Sequence, residues 1–315
     1  MKLALKIFTA GLFSLFTLFV LYCVWALIAY RDIPVEVLEQ KYGGENLRVL
    51  DVEGVPVRYK LEGSPAAPTM VLVHSHYWTM RQWQVWIDTL GDQFQFLRFD
   101  YTSHGLTGPD PDGDYSREKS AVIIDALLSQ HDIESATFVG SSSGGAISFH
   151  YAATRPDKVE NLVLINTPGV KVTNKAMDAG LPKWVGYAFY LMPTTIFRPF
   201  LEFAVVDKSL ITDEMVKEFH DMYRRDGNRM AEYKRMSAWE PSDPAEVLAK
   251  VTAPTLIVWG KENPQLPVSS VDDFKARLIN SPRVDSIVYP DIGHVIPIEN
   301  PRQAAQDVAE FIRSN

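Results

Sequence analysis

A single cysteine, Cys23, stands in a chain of 315 residues, so no disulfide can form within it. That scarcity does not assign a redox compartment, because a chain of this size buries enough apolar surface to need no covalent staple. Basic charge is also in short supply: 31 Lys and Arg against 39 Asp and Glu leave a net charge of −8, which argues against nucleic acid as a ligand. No internal repeat and no low-complexity segment is present. Charge vanishes altogether between Ile7 and Tyr30. As a helix this stretch of about 24 residues would reach roughly 36 Å, enough to cross a hydrocarbon core of about 30 Å with some tilt. A cleaved signal peptide has a shorter apolar region and a small-residue exit. Here the exit reads Trp25-Ala26-Leu27-Ile28-Ala29-Tyr30, and Tyr22 is too bulky to precede a lipoprotein cysteine. The expectation is an uncleaved, single-pass signal anchor over residues 1–31. Lys2 and Lys6 precede the span, whereas Arg31 is followed by Asp32, Glu36 and Glu39. The positive-inside bias therefore puts the main domain on the extracytoplasmic, periplasmic side.

What is plentiful is apolar sequence, 46% of the chain, arranged in short runs. Residues 32–46 read as a juxtamembrane segment, with Pro34 at a helix start and Gly43-Gly44 at its end. Beyond it, strands are expected at Leu47–Val52, Val55–Leu61, Met70–His74, Phe94–Asp100, Ala136–Val139, Leu162–Asn166, Thr255–Trp259 and Val284–Tyr289. Helices are expected at Met80–Leu90, Arg117–Gln130, Gly144–Ala153, Ser270–Ile279 and Arg302–Ile312. The alternation implies an α/β domain over 47–315: a mostly parallel eight-stranded sheet with helices on both faces. The first two strands, joined at Glu53-Gly54, read as an antiparallel edge hairpin. Between about 171 and 245 the alternation stops, and an aromatic helical stretch takes its place as a cap over the cleft.

Gly140-Ser141-Ser142-Ser143-Gly144 carries the chemistry. It fits G-x-S-x-G between an apolar strand and a helix, a sharp turn that lifts the central hydroxyl clear of the sheet. The glycines beside it suit a turn too tight for side chains. Ser142 is the candidate nucleophile, and a serine hydroxyl needs a base to take its proton. His294, in Asp291-Ile292-Gly293-His294 after the last strand, lies at the same edge of the sheet and is the candidate base. The order Ser, acid, His then asks for a carboxylate after Thr255–Trp259, where the chain reads Gly260-Lys261-Glu262-Asn263-Pro264.

Together these residues make the chain resemble an α/β-hydrolase of the lid-bearing esterase, lipase and proline-iminopeptidase-like branch. The resemblance runs from about Leu47 to Ile312 and includes Val71-Leu72-Val73-His74, Arg98-Phe99-Asp100, His104-Gly105-Leu106-Thr107, Pro254-Thr255-Leu256-Ile257-Val258-Trp259-Gly260 and Gly293-His294. The segment Asp32–Leu38 is similar to that of bacterial members with an N-terminal membrane anchor. The resemblance implies a helical lid, carboxylic-ester hydrolysis through an acyl-enzyme, and an oxyanion hole made by the N–H groups of His76 and Ser143. It implies no metal and no organic cofactor. Two positions depart from the family pattern. Asn263 stands where the acid is usual; its carbonyl can orient the ring but cannot stabilise the imidazolium by charge. Ser75 stands where the oxyanion loop usually has glycine, which is harmless at negative φ and strained otherwise.

The expected reaction is therefore serine hydrolysis of a small or apolar ester by Ser142, His294 and Asn263, with Glu262 as a second choice for the acid position. Asp291 is expected to close its own turn. The alternative is a weakened hydrolase fold that binds a small ligand or a membrane partner. Asp110–Asp114 has the look of a calcium loop but lacks the twelfth-position Glu, where Ala121 stands, and reads as a solvated turn. Arg224, Arg225, Arg229, Lys234 and Arg235 are expected on an exposed helix face.

Overall fold

A computed structural model describes residues 2–169, 181–237 and 244–315; the expected cap therefore lies outside the described residues at 171–180 and 238–243. All eight expected strands form: β1 Arg48–Val52, β2 Val55–Gly63, β3 Thr69–Val73, β4 Gln95–Phe99, β5 Ala136–Ser141, β6 Val159–Ile165, β7 Thr255–Gly260 and β8 Val284–Tyr289. They make one sheet in the order β1-β2-β4-β3-β5-β6-β7-β8. β1 and β2 are an antiparallel hairpin, β2 is antiparallel to β4, and every other pairing is parallel. The hairpin turn works because Glu53 and Gly54 both take positive φ, 51° and 79°, the pair of values that a tight two-residue connection demands.

The period-two pattern of β3 shows why the sheet is buried on both faces. Val71 and Val73 enter one apolar layer with Leu127, Phe138, Phe149 and Trp259. Met70 and Leu72 enter the other with Trp83, Trp86, Ala304 and Val308. Side chains alternate across a strand, so a continuous apolar run belongs where helices cover both sides. The covering helices include Arg117–Gln130 and Ser143–Thr154 on the first face, and Gln84–Leu90 and Pro301–Arg313 on the second.

The cap inserts between β6 and β7. Its described helices are α6 (Lys183–Ala188), α7 (Phe197–Phe203), α8 (Asp213–Tyr223) and α9 (Asn228–Ser237), counted after α1–α5 at Lys2–Ala29, Val35–Leu38, Gln84–Leu90, Arg117–Gln130 and Ser143–Thr154. Phe197, Leu201, Phe219 and Ile211 give the cap a small core of its own. α1 is almost wholly exposed, and Ala4–Ala29 within it, 26 residues at mean hydropathy 2.4, is long and apolar enough to cross a membrane. Length and composition of this kind suit an anchor or a signal segment alike.

Residues 32–46 lie against the cap. Ile33 N–H donates to the Arg224 carbonyl at 2.8 Å, and Asp226 N–H returns a bond to Ile33 at 3.0 Å. Tyr42 donates its hydroxyl to Asp221 at 2.6 Å. Arg229, 1% exposed, meets Asp32 at 2.5 Å and stacks on Tyr190. This corrects the expectation for the cationic run. Arg225 and Arg229 are buried and Arg235 is half-buried: the guanidinium of Arg225 binds the Thr107 and Asp226 carbonyls, that of Arg229 closes onto Asp32 of the juxtamembrane segment, and that of Arg235 onto Glu232 and His76 at the edge of the site.

Candidate active site

Ser142 sits between the last residue of β5 and the first of α5, with φ 52° and ψ −121°. That conformation is strained for a residue with a side chain, and the surroundings enforce it. Ser142 N–H donates to the Ile165 carbonyl at 2.8 Å, and Gly145 N–H closes the turn onto the Ser142 carbonyl at 2.9 Å. A Cβ at Gly140 would strike the Gly144 carbonyl, and one at Gly144 would strike the carbonyls of Val73 and His74. The helix can therefore pack against β3 only with glycine at these two points.

His294 Nε2 lies 3.0 Å from Ser142 Oγ, and His294 Nδ1 lies 3.1 Å from Asn263 Oδ1. The orientation of the Asn263 amide follows from its other partners. Its Oδ1 also accepts the backbone N–H groups of Gln265 at 3.0 Å and Leu266 at 3.1 Å, which only an oxygen can do. Oδ1 therefore faces Nδ1–H, and Nε2 of the neutral ring is left as the acceptor for the serine hydroxyl. Asn263 Nδ2 is buried and without a partner among the described residues. Glu262, by contrast, is exposed, and Asp291 is exposed in its own turn at φ 57°. Burial pushes His294 down to about 4, so the ring is uncharged at neutral pH.

Several buried groups hold the His294 loop, and local sequence gave little sign of them. Asn166 donates Nδ2 to the carbonyls of Gly293 and His294 and accepts from Gly260 N–H at 3.0 Å, tying the ends of β6, β7 and the base loop together. Its φ of 43° is a conformation that asparagine tolerates better than most residues. Glu299 accepts the N–H groups of Gly293 and Val295, and the cap reaches down so that His294 N–H donates to the Ala204 carbonyl at 2.7 Å.

On the opposite side of Ser142, Ser143 opens α5 and so has no intrahelical acceptor for its N–H. Its hydroxyl bonds the Tyr101 hydroxyl at 2.9 Å. Ser75 avoids positive φ; the left-handed residue of this loop is Tyr77, at φ 65°. Ser75 N–H donates to Gln82 and its hydroxyl to Ser141, which anchors the loop before His76.

The His76 side chain belongs to a polar chain. His76 Nε2 lies 2.8 Å from the Arg235 guanidinium and 3.2 Å from Glu232 Oε1, and its Nδ1 lies 2.8 Å from His104 Nε2. His104 Nδ1 in turn lies 3.0 Å from Ser103 Oγ and 3.2 Å from the Thr102 carbonyl. Desolvation holds both imidazoles below their ordinary range, with Arg235 adding to the effect on each. Burial opposes ionisation of Glu232, but His76 and Arg235 outweigh it and keep the carboxylate charged. His76, His104 and Glu232 bring ligand-type atoms within 4.8 Å of one another. The Arg235 guanidinium, 2.8 Å from Glu232, stands as the cation among them. A pocket opens beside this cluster, with Tyr77, Phe219 and Tyr223 as its aromatic walls and Asn228 and Glu232 as its polar ones.

The remaining cluster singled out by sequence is structural. Asp110 accepts the N–H groups of Asp112 and Asp114 and pairs with Lys119 at 3.3 Å, as a capped turn does. The Arg98-Phe99-Asp100 motif likewise builds the frame. Arg98 binds Glu62, Gln84 and the Met80 carbonyl, while Asp100 receives Met80 and Leu106 N–H groups in a space that leaves Gly105 no room for a Cβ.

Comparison with known proteins gives this geometry a context. The sequence profile of a family described as the alpha/beta hydrolase fold matches residues 68–301. An uncharacterized hydrolase of Bacillus subtilis, YugF, is 27% identical over 277 residues, covering 85% of this chain and 98% of the relative. A bifunctional esterase/perhydrolase of Acinetobacter calcoaceticus is 26% identical over 277 residues, covering 83% of this chain and 98% of that protein. Among solved structures, a membrane phospholipase A described as a bacterial virulence factor superposes with a TM-score of 0.72 at 21% identity, over 98% of each chain.

Proposed function

This chain belongs to the α/β-hydrolase family, and on that footing we propose that it is a serine hydrolase of carboxylic esters. The observation that carries the reading is the hydrogen-bonded line Asn263 Oδ1, His294, Ser142 Oγ, with the amide oriented by Gln265 and Leu266 N–H groups. Ser142 Oγ attacks the ester carbonyl carbon while its proton passes to His294 Nε2. The carbonyl oxygen takes up negative charge, and the N–H groups of His76 and Ser143 stabilise it. Collapse of the tetrahedral adduct breaks the C–O bond, and the proton on His294 leaves with the alcohol. Water, deprotonated by the same imidazole, then releases the acid and restores Ser142.

Asn263 supplies orientation without charge, which makes the site a slower version of a carboxylate-backed triad. The aromatic walls of the neighbouring pocket favour esters with an apolar acyl or alcohol part. The apolar length of α1 supports a single-pass membrane anchor, and the charges around it support a periplasmic main domain. No step of this chemistry calls on a metal or organic cofactor.

A second reading, a hydrolase fold that binds a small ligand or membrane partner without turnover, draws on the uncharged Asn263. Labelling of the full chain with a fluorophosphonate probe separates the two. An adduct at Ser142 that disappears in Ser142→Ala supports the esterase. A folded chain that remains unlabelled overturns it in favour of binding alone.

A further inference from the structure

The cap exposes large apolar side chains at helical spacing. Trp184 and Tyr187 lie one turn apart on α6, each 68% exposed, and Ile196, just before α7, is followed by Phe200 and Phe203 along it. Isolated apolar side chains at a surface need no account, but a stripe of aromatics along two consecutive helices does. The same part of the cap receives the end of α1. Tyr22 donates its hydroxyl to the Leu191 carbonyl at 2.6 Å, in the turn that joins α6 to α7. Ala26 is fully buried against the cap, and Tyr30 sets its ring edge-on to His220 at 5.3 Å. Arg224 binds the Arg31 carbonyl and Arg229 binds Asp32, so the helix is joined to the cap on more than one element.

This docking determines depth. Tyr22 lies about 12 Å along the helix before Tyr30, at 1.5 Å per residue. The apolar segment would be roughly 39 Å long, against a hydrocarbon core of about 30 Å. With the excess of about 9 Å at its C-terminal end, the last turn and a half lies in the headgroup layer and the boundary falls near Val24, so Tyr22 and the Leu191 carbonyl bonded to it are held at about the headgroup–acyl boundary. Tyr22, Trp25 and Tyr30 on α1 and Trp184 and Tyr187 on α6 are the residue types that settle at a membrane–water boundary. Lys183, exposed beside Trp184, suits the headgroup side of it.

We propose that the aromatic face formed by α6 and α7 is a membrane-interface seat. It enters the headgroup–acyl boundary of the leaflet from which α1 emerges, so that the cap and its pocket are held against the bilayer and esters partitioned into the leaflet reach the site from the lipid side. The inference rests on the reading of α1 as a membrane-spanning anchor.

The test uses the full chain in a Cys23→Ser background, reconstituted in phosphatidylethanolamine–phosphatidylglycerol vesicles. An environment-sensitive fluorophore is attached in turn through Trp184→Cys, Phe203→Cys, Phe13→Cys and Ile279→Cys. Ile279, 70% exposed, precedes the N-terminal end of the edge strand β8, opposite the end whose following loop bonds the cap, and reports on water. Circular dichroism and a cooperative thermal transition verify that each variant is folded. The expected result is blue-shifted emission at 184 and 203 that nitroxide-bearing lipid quenches as it quenches position 13, with position 279 unaffected. Quenching at 13 alone would show an inserted helix beneath a cap clear of the bilayer, and would overturn the seat while leaving the anchor. Blue-shifted emission at 184 and 203 that lipid quencher cannot reach would mean that a second copy of the chain covers the face, and would also overturn it. Absence of quenching at 13 would overturn the anchor and the seat together.

Discussion

Asn263→Asp is the substitution that bears most directly on the chemistry. It exchanges the amide for a carboxylate without altering shape, 3.1 Å from His294 Nδ1 at a position 9% exposed. In a serine protease the reverse change costs about 10⁴ in turnover, largely because the amide imposes the wrong tautomer. Here the tautomer is already correct, since Gln265 and Leu266 hold the oxygen toward the ring. Only the charge is missing. A unit charge about 4 Å from a developing imidazolium is worth about 4 kcal/mol at an effective dielectric near 20. Burying the carboxylate takes back part of that gain, although two backbone N–H donors already point at it. A net gain of about 1–3 kcal/mol corresponds to a rise of about 5- to 150-fold in kcat/KM. The substitution also removes the buried Nδ2 that has no acceptor. The measurement is hydrolysis of short- and medium-chain nitrophenyl esters by the full chain, with the fluorophosphonate labelling rate as a second readout. The added charge raises the His294 pKa from about 4, so the acid limb of the rate profile should move upward. An unchanged rate with an unchanged acid limb, in a folded variant, would refute the reasoning: Asn263 would then not govern the base.

The unsubstituted protein makes its own pH prediction. His294 must be neutral to act, and its folded pKa is lowered from 6.5 to about 4, so kcat/KM should hold as pH falls through 6.5 and decline only near 4. A pH–rate profile checks this. Glu232→Gln leaves Arg235 without its carboxylate and loosens Tyr77 and His76. Such a loss should lower stability by about 2 kcal/mol and reduce kcat more than it raises KM; calorimetry and steady-state kinetics report the two effects. Asp32→Asn weakens the pair with buried Arg229. Because Asp32 is partly exposed, a loss of about 1 kcal/mol is expected in thermal unfolding of the full chain in detergent. Gly144→Ala drives a methyl group into the Val73 and His74 carbonyls. It should abolish Ser142 labelling and lower the melting temperature by several degrees.

Strand positions were legible because burial on two faces leaves a short apolar run whatever the partners are, and Val71-Leu72-Val73 shows that run plainly. The serine turn was legible for a similar reason: a strand, a glycine-flanked serine and a helix, all within residues 136–154, describe their own geometry. The apolar length of α1 is likewise a property of consecutive residues. None of these required knowledge of what lies elsewhere in the chain.

The cationic residues after Tyr223 show the limit of such reading. Their spacing suits an exposed helix face, yet Arg229 is buried against Asp32 and Tyr190, and Arg235 against His76 and Glu232. Asn166 reads as a strand end lacking an acid, and in the fold it clamps the base loop through the carbonyls of Gly293 and His294. The amide orientation of Asn263 depends on backbone N–H groups whose direction only the folded turn defines. Sequence by itself determined the sheet, the elbow and the apolar helix, since each rests on periodicity or on steric limits within a few residues. Tertiary structure alone decided the tautomer of the base, the partners of the buried arginines and the seating of α1 on the cap. Those depend on side chains brought together from distant parts of the chain, and local spacing carries no record of them.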